Sequence, residues 1–440
     1  MATGAETFGA PATGRVPFRR GWIYLLMITL VMINYMDRSV VGIVAKTLAT
    51  EFNLSPVQLG YLFSSFLWTY CLCVLPVGIL LDRYESRYVT SAGIGLWSLA
   101  IAATAGAWNF SSLIATRLVM GAGEATSIPA CSRIVREWMP ATERGVATTV
   151  FSAGGFIGPA IGAVLIAWLT TMWGWRGAFI VLALLGFVWL VANMIWFDRP
   201  ERARWLSSAE RNKILTERSA GAPDDIFTRG SAGVVFELLQ SRSMWGAMIL
   251  QAAGIYTYYL LLFWIPSYLQ TTGNLSLMKT GLYTALPWAI AAPVSICLGL
   301  LSDRLLDRNK LMLGQRRYAV IGCTLLAACV LFVPLTTNTA VILTLFAISL
   351  SGISATISLN IVLVTDLFRR PRDIGKALSL AILSGNVFGL VAPIITGYLV
   401  ANFGGYGWAF AIGGIMLLIG AVAVGTMTNA PILAEPEPAR

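Results

Sequence analysis

Four ionisable side chains lie inside apolar stretches that are long enough to cross a bilayer. Asp37 and Arg38 fall within the stretch 22–45, and Arg117 and Glu124 within 111–132. A charge inside a spanning helix is costly, so its presence there usually serves a function. An arginine stays protonated and binds a carboxylate through two parallel hydrogen bonds. Burial raises a carboxylate pKa and a nearby arginine lowers it, so a balanced carboxylate can switch its proton. The pattern predicts a site for an anion and protons, with a structural ion pair between helices as the alternative.

Helical geometry separates the tasks of these four residues. Arg117 and Glu124 are seven residues apart, so they share one helix face roughly 10 Å apart, with Gly121 between them. Successive helical residues turn by about 100°, so Asp37 and Arg38 point in different directions. We predict that Arg38 faces a cavity and binds a substrate carboxylate. Asp37 then faces a neighbouring helix, with Arg117 as a candidate partner.

The composition excludes most other classes of protein. Of the 440 residues, 57% are hydrophobic, 12% are charged and none is histidine. Soluble proteins usually carry about 25% charged residues, so the chain is predicted to be an integral membrane protein. The sequence shows no nucleophile–base pair, metal cluster or phosphate loop, so we expect neither an enzyme nor a bound metal or cofactor.

Twelve apolar runs divide the chain and predict an all-α fold. They lie at roughly 22–45, 57–81, 88–107, 111–132, 145–170, 176–197, 243–269, 279–302, 318–336, 340–365, 375–401 and 407–428. The predicted organisation is an N-terminal tail at 1–21, a six-helix bundle at 22–197, a central loop at 198–242, a second six-helix bundle at 243–428 and a C-terminal tail at 429–440. Ser207 and Glu210 fit a capping box that would open a short helix in the central loop.

The basic residues predict the orientation in the membrane. Loops that join even-numbered to odd-numbered spans carry nearly all the lysine and arginine, whereas the opposite side has only Lys46, Arg176 and Lys279. Basic loops stay in the cytoplasm, so both termini and the central loop are predicted to be cytoplasmic, in a bacterial inner membrane. The net charge of +10 follows from this topology, and we expect no nucleic-acid partner.

An internal repeat relates the two sets of six spans. The pattern G-x-x-x-D-R ends the second span as Gly78, Asp82 and Arg83, followed by Arg87. It ends the eighth span as Gly299, Asp303 and Arg304. The same pattern at the same place in each half indicates a duplicated unit and a two-bundle transporter. We predict that these residues form a gate at the cytoplasmic face.

These features together resemble the major facilitator superfamily and, within it, the anion:cation symporter family of organic-anion transporters. The shared motifs are Asn34-Tyr35-x-Asp37-Arg38, Trp68-x-Tyr70, the Gly78–Arg87 loop, Arg117-x-x-x-Gly121-x-Gly123-Glu124, Gly155-x-x-Gly158-Pro159-x-x-Gly162, Trp173-Gly174-Trp175-Arg176, Phe263-Trp264-Ile265-Pro266-x-Tyr268, and Gly385-Asn386 with Pro393. The resemblance implies twelve helices in two bundles, a central cavity and alternating access. It also implies that Asp37 and Glu124 take up protons, that Arg38 binds substrate and that Arg117 couples to a carboxylate. Tyr35 and Tyr70 match cavity tyrosines of such transporters.

The second half offers only neutral polar candidates inside its spans. Gln251 and Tyr258 are seven residues apart and share a helix face, and the family places a polar residue at the position of Asn386. We predict that these three contact the neutral part of the substrate, with helix–helix packing as the alternative for each.

The sequence therefore predicts a transporter that imports a small organic carboxylate together with protons and that works as a monomer in the lipid bilayer. A sugar acid, an aromatic acid and a short aliphatic acid all fit. The alternatives are a proton-coupled exporter of drugs, suggested by the Gly155–Gly162 glycines, sodium in place of protons, and a membrane receptor.

Overall fold

The computed structural model describes residues 19–218, 231–305, 315–368 and 373–432, and these ranges are almost entirely helical. We number the spanning helices in chain order. Spans 1 to 6 are Gly21–Ile43, Pro56–Arg83, Ser86–Thr104, Phe110–Glu124 with Ser127–Trp138, and the two parts of Arg144–Trp196. Spans 7 to 12 are Arg242–Thr271, Leu277–Leu305, Arg316–Ala327 with the 3-10 turn Ala328–Leu335, Thr339–Leu367, Ile374–Phe403 and Gly407–Met427. The described residues thus form twelve spans, as the sequence predicts.

Within the described ranges, 9 helical segments are long and apolar enough to cross a membrane. One of them covers two spans, because the backbone of Arg144–Trp196 leaves helical geometry at Gly174, with φ 71° and ψ 172°. Glycine alone adopts such a conformation without steric cost. The remaining two are span 3, whose 19 residues are long enough but less apolar, and span 4, which is interrupted.

Short helices connect the spans. Ala45–Phe52 follows span 1, and Ser208–Arg218 and Ser231–Gln240 lie within the predicted central loop. The predicted capping box forms in one direction only: Ser207 Oγ accepts from the Glu210 N–H at 3.3 Å. The Glu210 carboxylate instead accepts from the backbone N–H groups of Arg19 at 3.2 Å and Arg20 at 3.0 Å. This buried carboxylate therefore stabilises the start of span 1, where the helix dipole favours a negative charge.

Parts of the predicted segments lie outside the described residues: 1–18 of the N-terminal tail, 219–230 of the central loop and 433–440 of the C-terminal tail. The division of the chain into two bundles and a loop stays a prediction at these boundaries.

The two halves of the chain meet mainly at one end of the spans. We call this the far end; it holds Ile43, Pro56, Thr271 and Leu277, whereas the near end holds Gly21, Arg83 and Arg242. Among the described residues, the side-chain hydrogen bonds between the halves all lie from mid-span to the far end. They are Arg38–Tyr259, Tyr258–Gly155, Ser64–Leu390, Tyr61–Tyr398, Gln270–Ile43 and Lys46–Gln270.

Glycines let the helices of the two halves touch through their backbones at the far end. A Cβ on Gly60 of span 2 would lie 2.5 Å from the Pro393 carbonyl oxygen of span 11, and one on Gly397 would lie 2.5 Å from that of Pro56. On the other side of the molecule, a Cβ on Gly281 of span 8 would lie 2.5 Å from the Ala163 oxygen of span 5. Any side chain at these positions would push the halves apart. The far end is therefore closed.

Candidate transport site

The Arg38 side chain lies at the centre of the molecule, buried between the halves. It is 2% exposed, and its Nε donates to Glu124 Oε2 at 2.8 Å. The rings of Tyr35, Phe66 and Tyr70 surround the guanidinium, with centroids 4.7, 5.2 and 4.9 Å from Cζ. Aromatic faces stabilise a desolvated cation, and the carboxylate balances its charge. These contacts hold a permanent positive charge in the middle of the membrane.

One donor of this guanidinium is left over. Arg38 Nη2 is buried and has no hydrogen-bond partner within the described part of the chain, and the same is true of Glu124 Oε1. Buried polar atoms are nearly always hydrogen-bonded, because an unpaired one costs free energy. A small anion could bind the spare Nη2 donor directly.

A break in span 4 sets the position of Glu124. The helix ends at Glu124 and a new one begins at Ser127. The hydroxyl of Thr126 donates to the Gly123 carbonyl and that of Ser127 to the Glu124 carbonyl, both at 2.8 Å. Hydroxyls that bond to preceding carbonyls compete with the helix ladder and bend it. The predicted run 111–132 is therefore continuous in sequence but not in helix geometry.

Asp37 and Arg117 form a second buried group beside the first, because Arg117 Cζ lies 5.0 Å from the centroid of the same Phe66 ring that Arg38 contacts. Arg117 Nη1 donates to the backbone oxygen of Asp37 at 3.4 Å and also contacts the sulfur of Met120. The Asp37 carboxyl is 1% exposed and lies beside Trp97 and Arg117. Arg117 is fully buried and interacts electrostatically with both Asp37 and Glu124. Asp37 and Arg38 thus meet different residues of span 4: Arg117 lies beside Asp37, and Glu124 binds Arg38.

Tyr259, in span 7, joins the site from the opposite half. Arg38 Nη1 donates to the Tyr259 hydroxyl at 3.2 Å. Tyr259 is not among the site residues predicted from the sequence, because the seven-residue spacing with Gln251 singles out its neighbour Tyr258. Spacing along one helix does not show which of two neighbouring tyrosines faces Arg38, because that depends on how the two halves pack.

The predicted tyrosines hold different positions around Arg38. Tyr35 and Tyr70 stack on the guanidinium as described above. The Tyr258 hydroxyl donates to the Gly155 carbonyl of span 5 at 3.1 Å, and its ring contacts those of Tyr35 and Trp288, with centroids 6.3 and 5.2 Å apart. Tyr258 therefore bridges the halves beside Arg38.

The predicted amides of the second half lie apart from Arg38. Gln251 Oε1 accepts from Asn360 Nδ2 at 2.9 Å, and the same nitrogen donates to the Ala247 carbonyl at 3.0 Å. These bonds join span 7 to span 10. Gln251 therefore has the helix–helix packing contact that was the alternative to substrate binding. Asn386 is half-buried in span 11. The structure shows no contact between either amide and Arg38.

The repeated motif at the near end forms ion pairs, but not between its adjacent residues. Asp82 pairs with Arg133 at 3.7 Å, and Arg87 donates to the Met194 carbonyl at the end of span 6. In the second half, Asp303 pairs with Arg316 at 2.7 Å, and Arg316 also binds Asp366 at 2.6 Å. Gly78, Arg83 and Arg304 are exposed or have open space beside them. Each motif ties neighbouring spans of its own half together.

Packing explains the glycines of span 5 that suggested a drug exporter. A Cβ on Gly158 would lie 2.4 Å from the Met32 oxygen, and one on Gly162 would lie 2.8 Å from Cγ of Met36. These residues let span 5 approach span 1 closely.

Comparison with known proteins places this chain in a family. The profile of the Major Facilitator Superfamily matches residues 27–314 and 312–439. The D-galactonate transporter of Escherichia coli O6:H1 is 32% identical over 432 residues, covering 94% of this chain and 96% of its own. The probable L-galactonate transporter of Escherichia coli K12 is 32% identical and covers 93% and 89%. An uncharacterized Bacillus subtilis transporter, YybO, is 30% identical and covers 92% of each chain.

Solved structures show the same fold at lower sequence identity. A bacterial homolog of the human lysosomal transporter Spinster, in an inward-facing and occupied conformation, matches with a TM-score of 0.73 and 17% identity, covering 94% of this chain and 98% of that chain. The D-xylose-proton symporter matches with a TM-score of 0.69 and 17% identity, covering 93% and 98%. The chain therefore belongs to the Major Facilitator Superfamily, and is a membrane transporter among the organic-anion carriers that its motifs resemble.

Proposed function

We propose that this protein imports a small organic carboxylate together with protons, by alternating access to a site at Arg38. The observation that carries the proposal is the Arg38–Glu124 ion pair, buried between the halves, with a guanidinium donor to spare. A substrate carboxylate and Glu124 compete for the same cation. Binding of the anion is therefore favoured when Glu124 is protonated and releases Arg38.

The second buried group supplies a further place for a proton. Asp37 lies beside Arg117, which also interacts with Glu124. Protonation of Glu124 changes the balance of charge around Arg117 and hence around Asp37. This link would allow two protons to accompany one anion.

Two protons make the import of an anion with a single negative charge electrically favourable. A membrane that is negative inside opposes the entry of one negative charge by about 2.3 kcal/mol per 100 mV. One proton cancels this cost, and a second gives the transported complex a net positive charge. If the predicted orientation holds, the closed far end faces outwards and the conformation described here is inward-facing.

The relatives support a sugar acid as the first substrate to test. One of those relatives is named for D-galactonate and another, as a probable transporter, for L-galactonate. A further relative, from Escherichia coli K12 and 30% identical over 414 residues, is named as a probable transporter of galactarate and D-glucarate. Each of these anions carries a carboxylate that the spare donor of Arg38 could bind. Aromatic and short aliphatic acids belong in the same test, because aromatic rings surround Arg38 and every such acid carries a carboxylate.

The experiment is uptake into liposomes under an imposed inward proton gradient. Labelled galactonate, glucarate, an aryl carboxylate and a short aliphatic acid would be compared for the wild type, Arg38→Ala and Glu124→Gln. We expect gradient-stimulated uptake of at least one acid, a loss of at least about 100-fold in Arg38→Ala, and uptake that no longer follows the gradient in Glu124→Gln. The fold-loss corresponds to about 2.7 kcal/mol, within the range for bonds between charged groups.

Arg199→Ala is the matched control, because Arg199 lies at the surface, where it pairs with Glu85. We expect it to transport like the wild type. Normal anion uptake by Arg38→Ala, or wild-type uptake that ignores the proton gradient, would contradict the mechanism.

A further inference from the structure

A groove runs along the outer surface of the molecule, between span 5 of the first half and span 8 of the second. Its volume is 610 Å³, and all ten side chains that line it are apolar. Several of them are exposed, so they face lipid in a protein that spans a bilayer. The lining includes Ile161, Val164 and Trp168 of span 5, and Met278, Leu282 and Ala289 of span 8.

Behind the groove, spans 5 and 8 touch through their backbones. A Cβ on Gly281 would lie 2.5 Å from the Ala163 carbonyl oxygen and 2.5 Å from the Ala167 Cβ. This is one of the contacts that close the far end. The two walls of the groove belong to different halves, so the groove keeps its shape only while the far end is closed.

The internal repeat supplies a counterpart for this surface. We call the line of contact between spans 2 and 11 the first seam, and that between spans 5 and 8 the second seam. Spans 2 and 8 begin with the same cap: Ser55 Oγ accepts from the Gln58 N–H at 3.2 Å, and Ser276 Oγ accepts from the Lys279 N–H at 3.5 Å. Counting from these caps therefore pairs each position of span 2 with one of span 8.

The paired positions carry rings in one seam and smaller side chains in the other. In the first seam, the rings of Tyr61 and Trp68 lie 6.3 Å apart, and the Tyr61 hydroxyl bonds to that of Tyr398 in span 11 at 3.4 Å. In span 8 the same two positions hold Leu282 and Ala289, and both line the groove. The groove is thus a difference between two otherwise equivalent seams.

The length of the groove fits one acyl chain of one leaflet. From Met278 to Ala289, span 8 rises about 16 Å, and one leaflet supplies about 15 Å of a hydrocarbon core that is about 30 Å thick. The groove begins near the membrane surface, because Met278 is the second residue of span 8. The rings of Trp168 and Trp173 lie 6.1 Å apart at this level, and tryptophan favours the interface between membrane and water.

A positive charge lies at this end of the groove. Lys279 follows Met278 in the first turn of span 8 and is exposed. Of the other two basic residues predicted on this side of the membrane, Lys46 donates to a carbonyl of span 7 and Arg176 pairs with Glu51. Among the described residues, the Lys279 ammonium makes no contact of this kind. A lysine at headgroup depth attracts an anionic lipid.

We propose that the groove between spans 5 and 8 binds an acyl chain of one anionic phospholipid, whose phosphate contacts Lys279, and that this lipid stabilises the closed far end. Apolar groups gain little from leaving one apolar environment for another, so selectivity comes from packing in the groove and from the headgroup. The chain contacts both halves, so the lipid binds the closed form more tightly and shifts the population towards it. This effect on closure rests on the alternating access proposed above, whereas the binding site does not.

Native mass spectrometry in detergent, with added phosphatidylglycerol or phosphatidylethanolamine, tests the headgroup contact. We expect the wild type to retain one phosphatidylglycerol and to prefer it about fivefold over phosphatidylethanolamine, as one lysine near a membrane surface would produce. Lys279→Gln should abolish the preference. Lys46→Gln is the matched control, because it removes the same charge at the same end beside span 7, and it should bind like the wild type.

Filling the groove tests the position of the acyl chain. Leu282→Tyr with Ala289→Trp copies the rings of the first seam into the second; we call this the filled variant. It should retain phosphatidylglycerol at least about tenfold more weakly, since side chains in the place of a ligand exclude it. Val422→Trp adds the same bulk to an exposed position of span 12 and should leave retention unchanged.

The reverse exchange should create a site. Tyr61→Leu with Trp68→Ala opens the first seam and should add a second retained lipid. Gln58 stands at the position that Lys279 holds in span 8, so this second lipid should show no preference for the anionic headgroup. A misfolded variant would not gain a defined lipid, so the exchange keeps the test decisive.

Spin labels measure the effect on closure. Thr50 and Thr272 are exposed near the far end of each half and can carry labels after the six native cysteines are replaced. Phosphatidylglycerol should shift the ratio of closed to open molecules about fivefold towards closed in the wild type, because a ligand shifts an equilibrium by its difference in affinity. It should have no effect on the filled variant.

Equal retention by the wild type and the filled variant would overturn the site, and equal retention of both lipids by the wild type would overturn the headgroup contact. A mass of two copies that the filled variant loses would assign the groove to a dimer instead. An unchanged distance distribution would overturn the effect on closure. Failure of the proposed function has a different signature, because uptake of every acid would be absent while lipid retention stayed intact.

Discussion

The two halves of this transporter share a scaffold but differ in what they place at the centre of the membrane. Gly60, Gly78 and Asp82 of the first half recur in register as Gly281, Gly299 and Asp303 of the second. Halfway along the spans, the first half buries two arginines and two carboxylates, whereas the second half joins its helices by neutral bonds. The neutral bonds of the second half are those between Asn360 and Gln251, at 2.9 Å, and between Thr324 and Thr356, at 3.2 Å.

This difference separates packing from chemistry. The repeated glycines and aspartates bring helices together and tie them at their ends, and both halves need that. Under the proposed function, charge is needed only where the anion and the protons bind, and the first half alone supplies such a site. The second half contributes hydroxyls and aromatic rings. These groups can contact the charged residues without adding another desolvated ion.

The largest expected effect comes from breaking the charged core itself. Arg117→Ala leaves the Asp37 carboxyl without its nearby cation, and loss of one partner from a buried pair typically costs about 3–5 kcal/mol. We expect a lower Tm in detergent, measured by intrinsic fluorescence. Adding Asp37→Asn should restore more than half of the loss, because the uncompensated charge is then removed. A double variant as unstable as Arg117→Ala would show that the charge of Asp37 is irrelevant to stability.

A smaller effect is expected from the neutral core of the second half. Asn360→Leu removes the bonds to Gln251 and Ala247, and hydrogen bonds between membrane helices contribute about 0.6–1.7 kcal/mol. Combined with Gln251→Leu in a double-mutant cycle, it should show a coupling energy of this size in thermal unfolding. Asn360→Leu should leave the KM for substrate unchanged. A change in KM in Gln251→Leu would show that Gln251 also contacts substrate. A coupling as large as that of Arg117 with Asp37 would remove the contrast between the halves.

The smallest effect is expected from a charged group of the first half that lies outside the membrane core. Glu51, in the short helix after span 1, accepts from the Trp175 indole N–H at 2.6 Å and pairs with Arg176 at 2.7 Å. The Trp175 hydrogen bond, together with Arg176, lowers the pKa of Glu51. Glu51→Gln should cost no more than about 0.2–1 kcal/mol, as exposed ion pairs do.

The pH dependence of that difference has a defined sign. A carboxylate whose pKa is lower in the folded state stabilises the fold above its unfolded value, about 4.3, and loses this contribution as pH falls through the folded value. The Tm difference between wild type and Glu51→Gln should therefore be present at pH 7 and disappear in acid. A difference that grows in acid would contradict this assignment.

Much of the fold follows from the sequence, because spans are marked by length and hydropathy and the repeat marks the two halves. The positions of Asp37, Arg38, Arg117 and Glu124 could also be predicted, since charges in apolar runs are conspicuous. Their partners could not. Sequence spacing places residues on the face of one helix, whereas the Arg38–Tyr259 and Asp82–Arg133 contacts depend on how different helices pack. The break after Glu124 depends on hydroxyl–carbonyl bonds that leave no mark in hydropathy.

The closed far end also shapes the electric field inside the protein. Its contacts include glycines against carbonyls and stacked rings such as Phe63 on Phe263, and they form a closed layer between Arg38 and one end of the spans. A transmembrane voltage falls mainly across such a layer, at about 2.3 kcal/mol per unit charge per 100 mV. Charges held at Arg38 would then cross most of the field when the layer opens and re-forms on the other side. Voltage should consequently act on the rate of switching more than on the affinity for substrate.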